Sequence, residues 1–266
     1  MRILLTNDDG FDSKGIKVLE DVLKSYGHKI SVCAPSTQRS ASSQAVSLRD
    51  SVHIYSYSKD HYHCSGTPAD CLLYSFRGGL FSPEDFDLVI SGINHGLNVS
   101  SDILYSGTVG AAREAVIIGI KAMAISVATP PKGQDFNFEK AATFLAEHLE
   151  DFYPFCTKNS IVNINVPHNG EESWKSACVG FLDYKDAAEV TKGTLDDIKV
   201  DNLSTNKITL GLKETNKAPS LVDHGYSTIT DYELINKNHI AVSVVEILPA
   251  ISSLQEKLAK LEGRAL

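Results

Sequence analysis

The sequence predicts an α/β fold, a mostly parallel sheet with helices on both faces, on three observations. Short runs of branched apolar residues alternate with helix-period segments over most of the first half. Those runs read as strands of a buried sheet. Polar loops bearing glycine follow several of them, which in such a sheet is where ligands bind, beyond the carboxyl ends of the strands.

Taken in order, RILLT is a buried strand ending on Asn7-Asp8-Asp9-Gly10. In FDSKGIKVLEDVLKSYG, Ile16, Leu19, Val22 and Leu23 recur at helical spacing and Gly27 sits where a helix stops. HKISVCAP returns to strand, SVHIYSY and HYHC read as two more, and a helix follows from about Ala69 to Phe76. FDLVIS is a buried strand leading into the loop GINHGLN, DILYSGTVGAAREAVIIG is a loop and helix, and KAMAISVA is another strand. FEKAATFLAEHLEDFY is an amphipathic helix and SIVNINVP a strand ending on Pro167. From His168 to about Asn238 the chain is polar, Gly- and Asp-rich and weakly periodic, which reads as hairpins and loops packed on the core or on a partner subunit. NHIAVSVVEILP restores a strand, and SSLQEKLAKLEG is a closing helix capped by Ser252 or Ser253. The expected division is a catalytic core over 1–167, a hairpin and loop region for oligomer contacts over 168–238, and a returning strand and C-terminal helix over 239–266.

Composition narrows the function. The 266 residues are 42% hydrophobic and 22% charged, an ordinary globular balance. A formal net charge of −8 with no basic cluster argues against gripping a nucleic-acid duplex or an anionic membrane by bulk electrostatics. The first apolar run is only Ile3 to Leu5, and no stretch nears the roughly 20 apolar residues that span a bilayer, so a cytoplasmic chain is expected. Five scattered cysteines give neither a disulfide framework nor zinc spacing and read as small buried hydrophobes.

The chemistry lies in three glycine-containing loops, Asn7 to Gly10, Ser91 to Asn98 and Tyr105 to Ala112, which a doubly wound sheet brings to one rim. The first offers the carboxylates of Asp8 and Asp9 and the second the amide oxygens of Asn94 and Asn98. That is an all-oxygen set suited to Mg²⁺, Mn²⁺ or Ca²⁺. Two adjacent carboxylates repel in isolation, and a divalent cation beside them keeps both ionised. In the third loop Ser106-Gly107-Thr108 precedes a helix whose first turns are small, so free N–H groups and the helix dipole suit a phosphate. Ser40, in TQRSASSQ, adds a hydroxyl from the neighbouring loop, and Arg39 a positive charge. Metal beside an anion cradle points to phosphoryl chemistry.

Each signal also has a plain structural reading: Asp-Asp-Gly as a turn, SGTVGAA as a capped, tightly packed helix, the serines around Ser40 as a solvated loop, His61-x-His63-Cys64 as strand alternation, His95 as a surface histidine. Their convergence on one rim favours the catalytic reading. A phosphorylation-switched receiver domain is the alternative from another class, but it needs a lone acceptor Asp ending the third strand and a Lys ending the fifth, and Asp50 and Lys132 fit neither place. A haloacid-dehalogenase-like phosphatase needs Asp-x-Asp, whereas here the carboxylates are adjacent.

RILLTNDDG, APSTQRS, SGTPADC, SGINHGLN and DILYSGTVGAAREA together resemble the SurE family of metal-dependent 5′/3′-nucleotidases. The resemblance implies a Rossmann-like core with C-terminal extensions exchanged between subunits of a homodimer or homotetramer. It implies metal ligation by Asp8, Asp9, Ser40 and Asn94, and phosphate binding by Asn98, Ser106, Gly107 and Thr108. The expected activity is hydrolysis of nucleoside 5′- and 3′-monophosphates with one Mg²⁺ or Mn²⁺ per subunit, either Asp8 or Asp9 assisting as general base; a non-nucleotide phosphate such as polyphosphate is a second substrate expectation. Trp174, Phe181, Tyr184, Leu195, Ile198 and Tyr226, and the stripe of Leu254, Leu258 and Leu261, need burial, which exchange between subunits would supply.

Overall fold

The structure, a computed structural model, describes residues 1–169, 173–184, 187–192, 209–213, 218–226 and 228–248. Its centre is a nine-stranded sheet. Strands β1 (Arg2–Thr6), β2 (Lys29–Pro35), β3 (Ile54–Ser58), β4 (His61–Cys64), β5 (Leu88–His95), β6 (Ala122–Val127) and β7 (Ser160–Val166) follow one another along the chain, joined by β8 (Trp174–Ser176). Two short antiparallel pairs lie outside it, β9 (Leu182–Asp183) with β12 (Ser220–Leu221) and β10 (Ala187–Lys192) with β11 (Thr209–Lys213). The last strand, β13 (Ile240–Glu246), returns to the main sheet, whose order is β3-β4-β2-β1-β5-β6-β7-β13-β8.

Strands β4, β2, β1, β5, β6 and β7 run parallel; β3 on β4 and β13 on β7 are antiparallel. From β1 the chain moves outward to β2 and later returns to lay β5 on β1's other side. The order therefore reverses between β1 and β5, the place where an open α/β sheet forms its ligand crevice. Both NDDG and SGIN end there.

Helices α1 (Lys14–Ser25) and α4 (Phe138–Phe152) cover one face, α2 (Pro68–Arg77) and α3 (Gly107–Ile118) the other. The alternation of β1 serves both: Ile3 and Leu5 join the cluster holding Ile16, Leu19 and Leu145, while Leu4 joins that of Cys71, Leu72 and Val109. Three of the cysteines, Cys33, Cys64 and Cys71, are buried in this second cluster, as expected of small hydrophobes. No helix of the described residues is long and apolar enough to cross a membrane.

Three details differ from the sequence reading. The GINH of the expected loop continues β5, because β6 runs alongside to pair Asn94 with Ser126 and His95 with Val127; Gly92 sits in the irregularity between Ser91 and Asn94, so a glycine read as a turn marks a bulge. A 3₁₀ turn at Ser100–Leu104 then separates this strand from α3. Finally, the region read as loops contains α5 (Asp231–Asn236), started by a capping box in which Thr230 and Glu233 satisfy each other's backbone N–H groups. Leu195, Ile198 and the closing helix with Ser252, Ser253, Leu254, Leu258 and Leu261 lie outside the described residues.

Candidate active site

The turn after β1 is closed from inside by Asn7. Its buried amide donates to Gly10 O (2.9 Å) and Ser13 Oγ (2.7 Å) and accepts from Gly10 N (3.1 Å). Gly10 takes φ +105°, a conformation L side chains avoid. With the turn locked, the next two side chains diverge.

Asp8 points to α3. Thr108 Oγ1 donates to its Oδ1 at 2.5 Å, and it is 5% exposed. Burial, reinforced by the neighbouring Asp9 charge and opposed by the Thr108 hydroxyl, pushes its carboxyl up to about 6. Asp9 leans towards the end of β5, where His95 N donates to Oδ2 (3.0 Å) and His95 Nδ1 lies 3.6 Å from Oδ1. Burial raises this carboxyl as well, against the His95 N–H and ring. Among the described residues neither carboxylate forms an ion pair with Lys or Arg.

Asn94 donates from Nδ2 to Gly96 O (2.7 Å), and its Oδ1 has no hydrogen-bond partner among the described residues. The loop after β2 crosses the turn, Arg39 N donating to Asp8 O (2.7 Å), and carries Ser40 exposed, its Oγ accepting from Gln38 Nε2 (3.0 Å). Ser43 fastens the far end of the loop to the approach to α3, its N–H on Tyr105 O (2.9 Å) and its hydroxyl on Leu104 O (2.7 Å). Between these anchors Ser42 Oγ is buried without a partner. Two carboxylates with no Lys or Arg partner among the described residues, the spare amide oxygen of Asn94 and the orphaned Ser42 hydroxyl beside them form an all-oxygen environment that fits a hard divalent cation.

The expected phosphate residues are placed differently from one another. Ser106 is the N-cap of α3, accepting from Val109 N (3.0 Å). The Thr108 hydroxyl is spent on Asp8, and Asn98 turns its amide nitrogen to Ser126 Oγ (2.7 Å). The Arg39 guanidinium, read from sequence as a charge for the phosphate, donates instead to Ser65 O (2.7 Å). What α3 offers an anion is thus its first-turn backbone and dipole, with Gly107 against Asp8.

Several supporting residues escaped the sequence reading. Asn98 is buried and pinned by β7: its N–H donates to Asn165 Oδ1 (2.8 Å), and Asn163 and Asn165 both donate to its carbonyl (2.9 Å each). Their signal was two asparagines inside the buried run IVNINV. Asp231, at the start of α5, receives Ser100 N (2.8 Å) and Ser100 Oγ (2.6 Å), anchoring the 3₁₀ turn that leads into α3. No local pattern announces a partner 131 residues away.

Asp8 also supplies a stability test. Its pKa is raised in the folded state, so the folded protein holds this proton more tightly; stability is fully present below the unfolded value and is lost as pH rises towards 6. A shift of that size corresponds to roughly 2–3 kcal/mol. Asp8→Asn, which keeps an acceptor for Thr108, is expected to stabilise the EDTA-treated protein by about that much at pH 7 and by almost nothing at pH 4. Urea unfolding at the two pH values checks it.

Comparison with known proteins agrees with this frame. The family model described as survival protein SurE matches residues 3–186. A protein of Clostridium botulinum (strain 657 / Type Ba4) named 5′-nucleotidase SurE is 40% identical over 180 residues, covering 66% of this chain and 70% of that protein. One of the same name from Actinobacillus pleuropneumoniae serotype 5b (strain L20) is 37% identical over 199 residues, 72% of this chain and 78% of the relative. The crystal structure of the SurE protein from Aquifex aeolicus superposes with a TM-score of 0.75 at 26% identity, covering 98% of this chain and all of that one. With the family model matching well over half of its length, the chain belongs to the SurE family.

Proposed function

We propose that this protein is a divalent-metal-dependent phosphomonoesterase that hydrolyses nucleoside 5′- and 3′-monophosphates to nucleoside and phosphate. The observation that carries the reading is a pair of adjacent carboxylates with buried side chains at the β1/β5 switch point, neither paired with Lys or Arg among the described residues, Asp8 against the N-terminus of α3 and Asp9 against His95, in a chain whose relatives are named 5′-nucleotidase. Asp8, Asp9, Ser40 and Asn94 would hold one Mg²⁺ or Mn²⁺. When bound, that ion supplies Lewis acidity towards a phosphoryl oxygen and acidifies a coordinated water.

The chain's own residues do the rest. The first-turn backbone of α3, at Gly107 and Thr108, donates to the equatorial phosphoryl oxygens, where charge develops, while Ser106, its own N–H held by Asp102 O (3.2 Å), caps that turn. Asn98, whose backbone is fixed by β7, keeps the rim between β5 and α3 in register. Asp9, oriented by the His95 N–H, and Asp8, oriented by Thr108, are the two candidate acceptors for the proton of the attacking water. Family membership leaves the receiver-type and polyphosphate alternatives without support.

Around this site we read 1–167 as the catalytic core, 168–238 as the region of oligomer contacts and 239–266 as a returning segment, in a cytoplasmic homodimer or homotetramer. Half-exposed rings at Trp174, Phe181 and Tyr184 support assembly through the C-terminal third. Phosphate release from a panel of nucleoside monophosphates tests the activity: turnover is expected with Mn²⁺ or Mg²⁺, none in EDTA, and recovery when the ion is restored. Undiminished turnover in EDTA would overturn the reading.

A further inference from the structure

Two ring clusters flank the carboxylates, and they differ in what they leave open. On the β5 side, His95 lies 4.9 Å from both Phe136 and Phe138, which themselves stack at 5.2 Å. Phe138 is buried, so these rings are occupied with one another. On the other side the rings are presented to solvent. Phe11 stands two residues past Asp9, within about 7 Å of chain reach. It meets Tyr57 edge-on at 5.2 Å and His63 at 5.7 Å, and Tyr55 stacks on His63 at 4.9 Å with planes 19° apart.

This second cluster is tied to the turn that carries the carboxylates, through Phe11, and to the loop after β2, through Ser36. Phe11 N donates to Pro35 O (2.7 Å), and Ser36 Oγ, four residues before Ser40, holds His63 Nδ1 at 2.8 Å, fixing the ring. Tyr55 and His63 are paired across β3 and β4, so a strand pair, rather than a mobile loop, presents them. Yet Tyr57 is 72% exposed and Tyr55 48%. Beside Phe11 and Tyr57 opens a cavity of about 210 Å³ reaching the Glu20–His61 pair on α1 and β4, which are 2.7 Å apart. At roughly 30 Å³ per water it has room for about seven, the scale of a single heteroaromatic base and not of a whole nucleotide.

We propose that Phe11, Tyr57 and the Tyr55–His63 stack form the subsite that takes the nucleobase of the substrate, with the phosphate at the carboxylate rim. The inference rests on the nucleotidase reading and adds where specificity for a nucleoside over a plain sugar phosphate arises. Flat π-faces accept any base, and the Glu20–His61 pair gives the cavity a polar end for a base edge.

The test compares kcat/KM for AMP and for ribose 5-phosphate, which carries the same sugar and phosphate without a base, in the Mn²⁺-loaded protein. Calorimetric titration with adenosine adds a measurement independent of turnover. Tyr57→Ala and Tyr55→Ala are each expected to lower the AMP to ribose 5-phosphate ratio by about tenfold and to weaken adenosine by a similar factor. Tyr57→Phe, which keeps the ring, should restore both. The proposal is overturned if the ratio and adenosine affinity stay at wild-type values, if both substrates fall together, if Phe136→Ala rather than Tyr57→Ala moves the ratio, or if the tyrosine variants change only the oligomeric mass. A wild-type protein that hydrolyses no nucleotide but still loses adenosine binding in Tyr57→Ala would refute the nucleotidase reading and leave the base subsite standing.

Discussion

An Asp9→Asn variant is expected to release essentially no phosphate from AMP at Mn²⁺ concentrations that saturate the wild type. Asp9 is one of only two carboxylates in the proposed set, and affinity for a hard cation follows ligand charge. Its position leaves no room for a substitute, because the side chain is 4% exposed and both oxygens face His95, the backbone N–H at 3.0 Å and the ring at 3.6 Å. An amide there must present its oxygen to that N–H and its nitrogen to the ring edge, leaving no anionic atom for the ion. The loss should exceed the ~10–100-fold cost of removing a residue that merely orients a metal ligand. The variant should still fold, since one of two repelling buried charges is gone. Manganese calorimetry beside phosphate release checks both halves; wild-type turnover by the variant would remove Asp9 from the reaction.

The half of the molecule that positions these carboxylates was legible because its signals are local. Ile16, Leu19, Val22 and Leu23 mark α1 by their spacing alone, and all four are buried where that spacing puts them. Strands β1 and β6 read as apolar runs because both faces are covered by helices, so hydrophobicity does not alternate. Alternation of such units predicts the reversal of strand order that brings NDDG and SGIN together, without any contact being known. The extension of β5 was hidden, because Gly92 carries the same sequence signal whether it ends a strand or bulges one.

The supporting contacts were not legible, and the reason is sequence distance. Whether the Thr108 hydroxyl faces a phosphate or Asp8 depends on how α3 docks, across 100 residues. The use of Asn163 and Asn165 to hold Asn98, and of Asp231 to hold Ser100, rests on pairings of 65 to 131 residues that no local pattern encodes. Buried polar side chains must find partners, so an asparagine in an apolar strand announces that a partner exists without naming it. The consequence for the site is specific: the Thr108 hydroxyl and the Asn98 amide nitrogen, expected at the phosphate, are engaged with Asp8 and Ser126.

Gly107→Ala is expected to cripple the enzyme, although alanine is the better helix former by about 1 kcal/mol. A Cβ at this position would lie 2.6 Å from Ser42 Oγ, 2.8 Å from Asp8 Cβ and 2.9 Å from Asp8 Oδ2. Ser42 Oγ is unbonded and can rotate, but Asp8 Cβ moves only with its backbone. Asp8 is held by Thr108 through its carboxylate and by Arg39 through its carbonyl. The strain must therefore tilt α3 or displace Asp8, and overpacking of this kind costs about 1–3 kcal/mol, enough to outweigh the propensity gain. Either movement changes the distance between the carboxylates and the α3 amides. A misplacement near 1 Å can cost on the order of 10²-fold in rate, so kcat/KM for AMP should fall by about that factor while unfolding free energy drops by only ~1–2 kcal/mol. Asp8 displacement would also weaken Mn²⁺ binding, whereas a pure tilt of α3 would leave it intact and raise KM for the phosphate ester. Kinetics, urea unfolding and Mn²⁺ calorimetry on the one variant separate these outcomes, and wild-type behaviour in all three would mean that α3 does not abut Asp8.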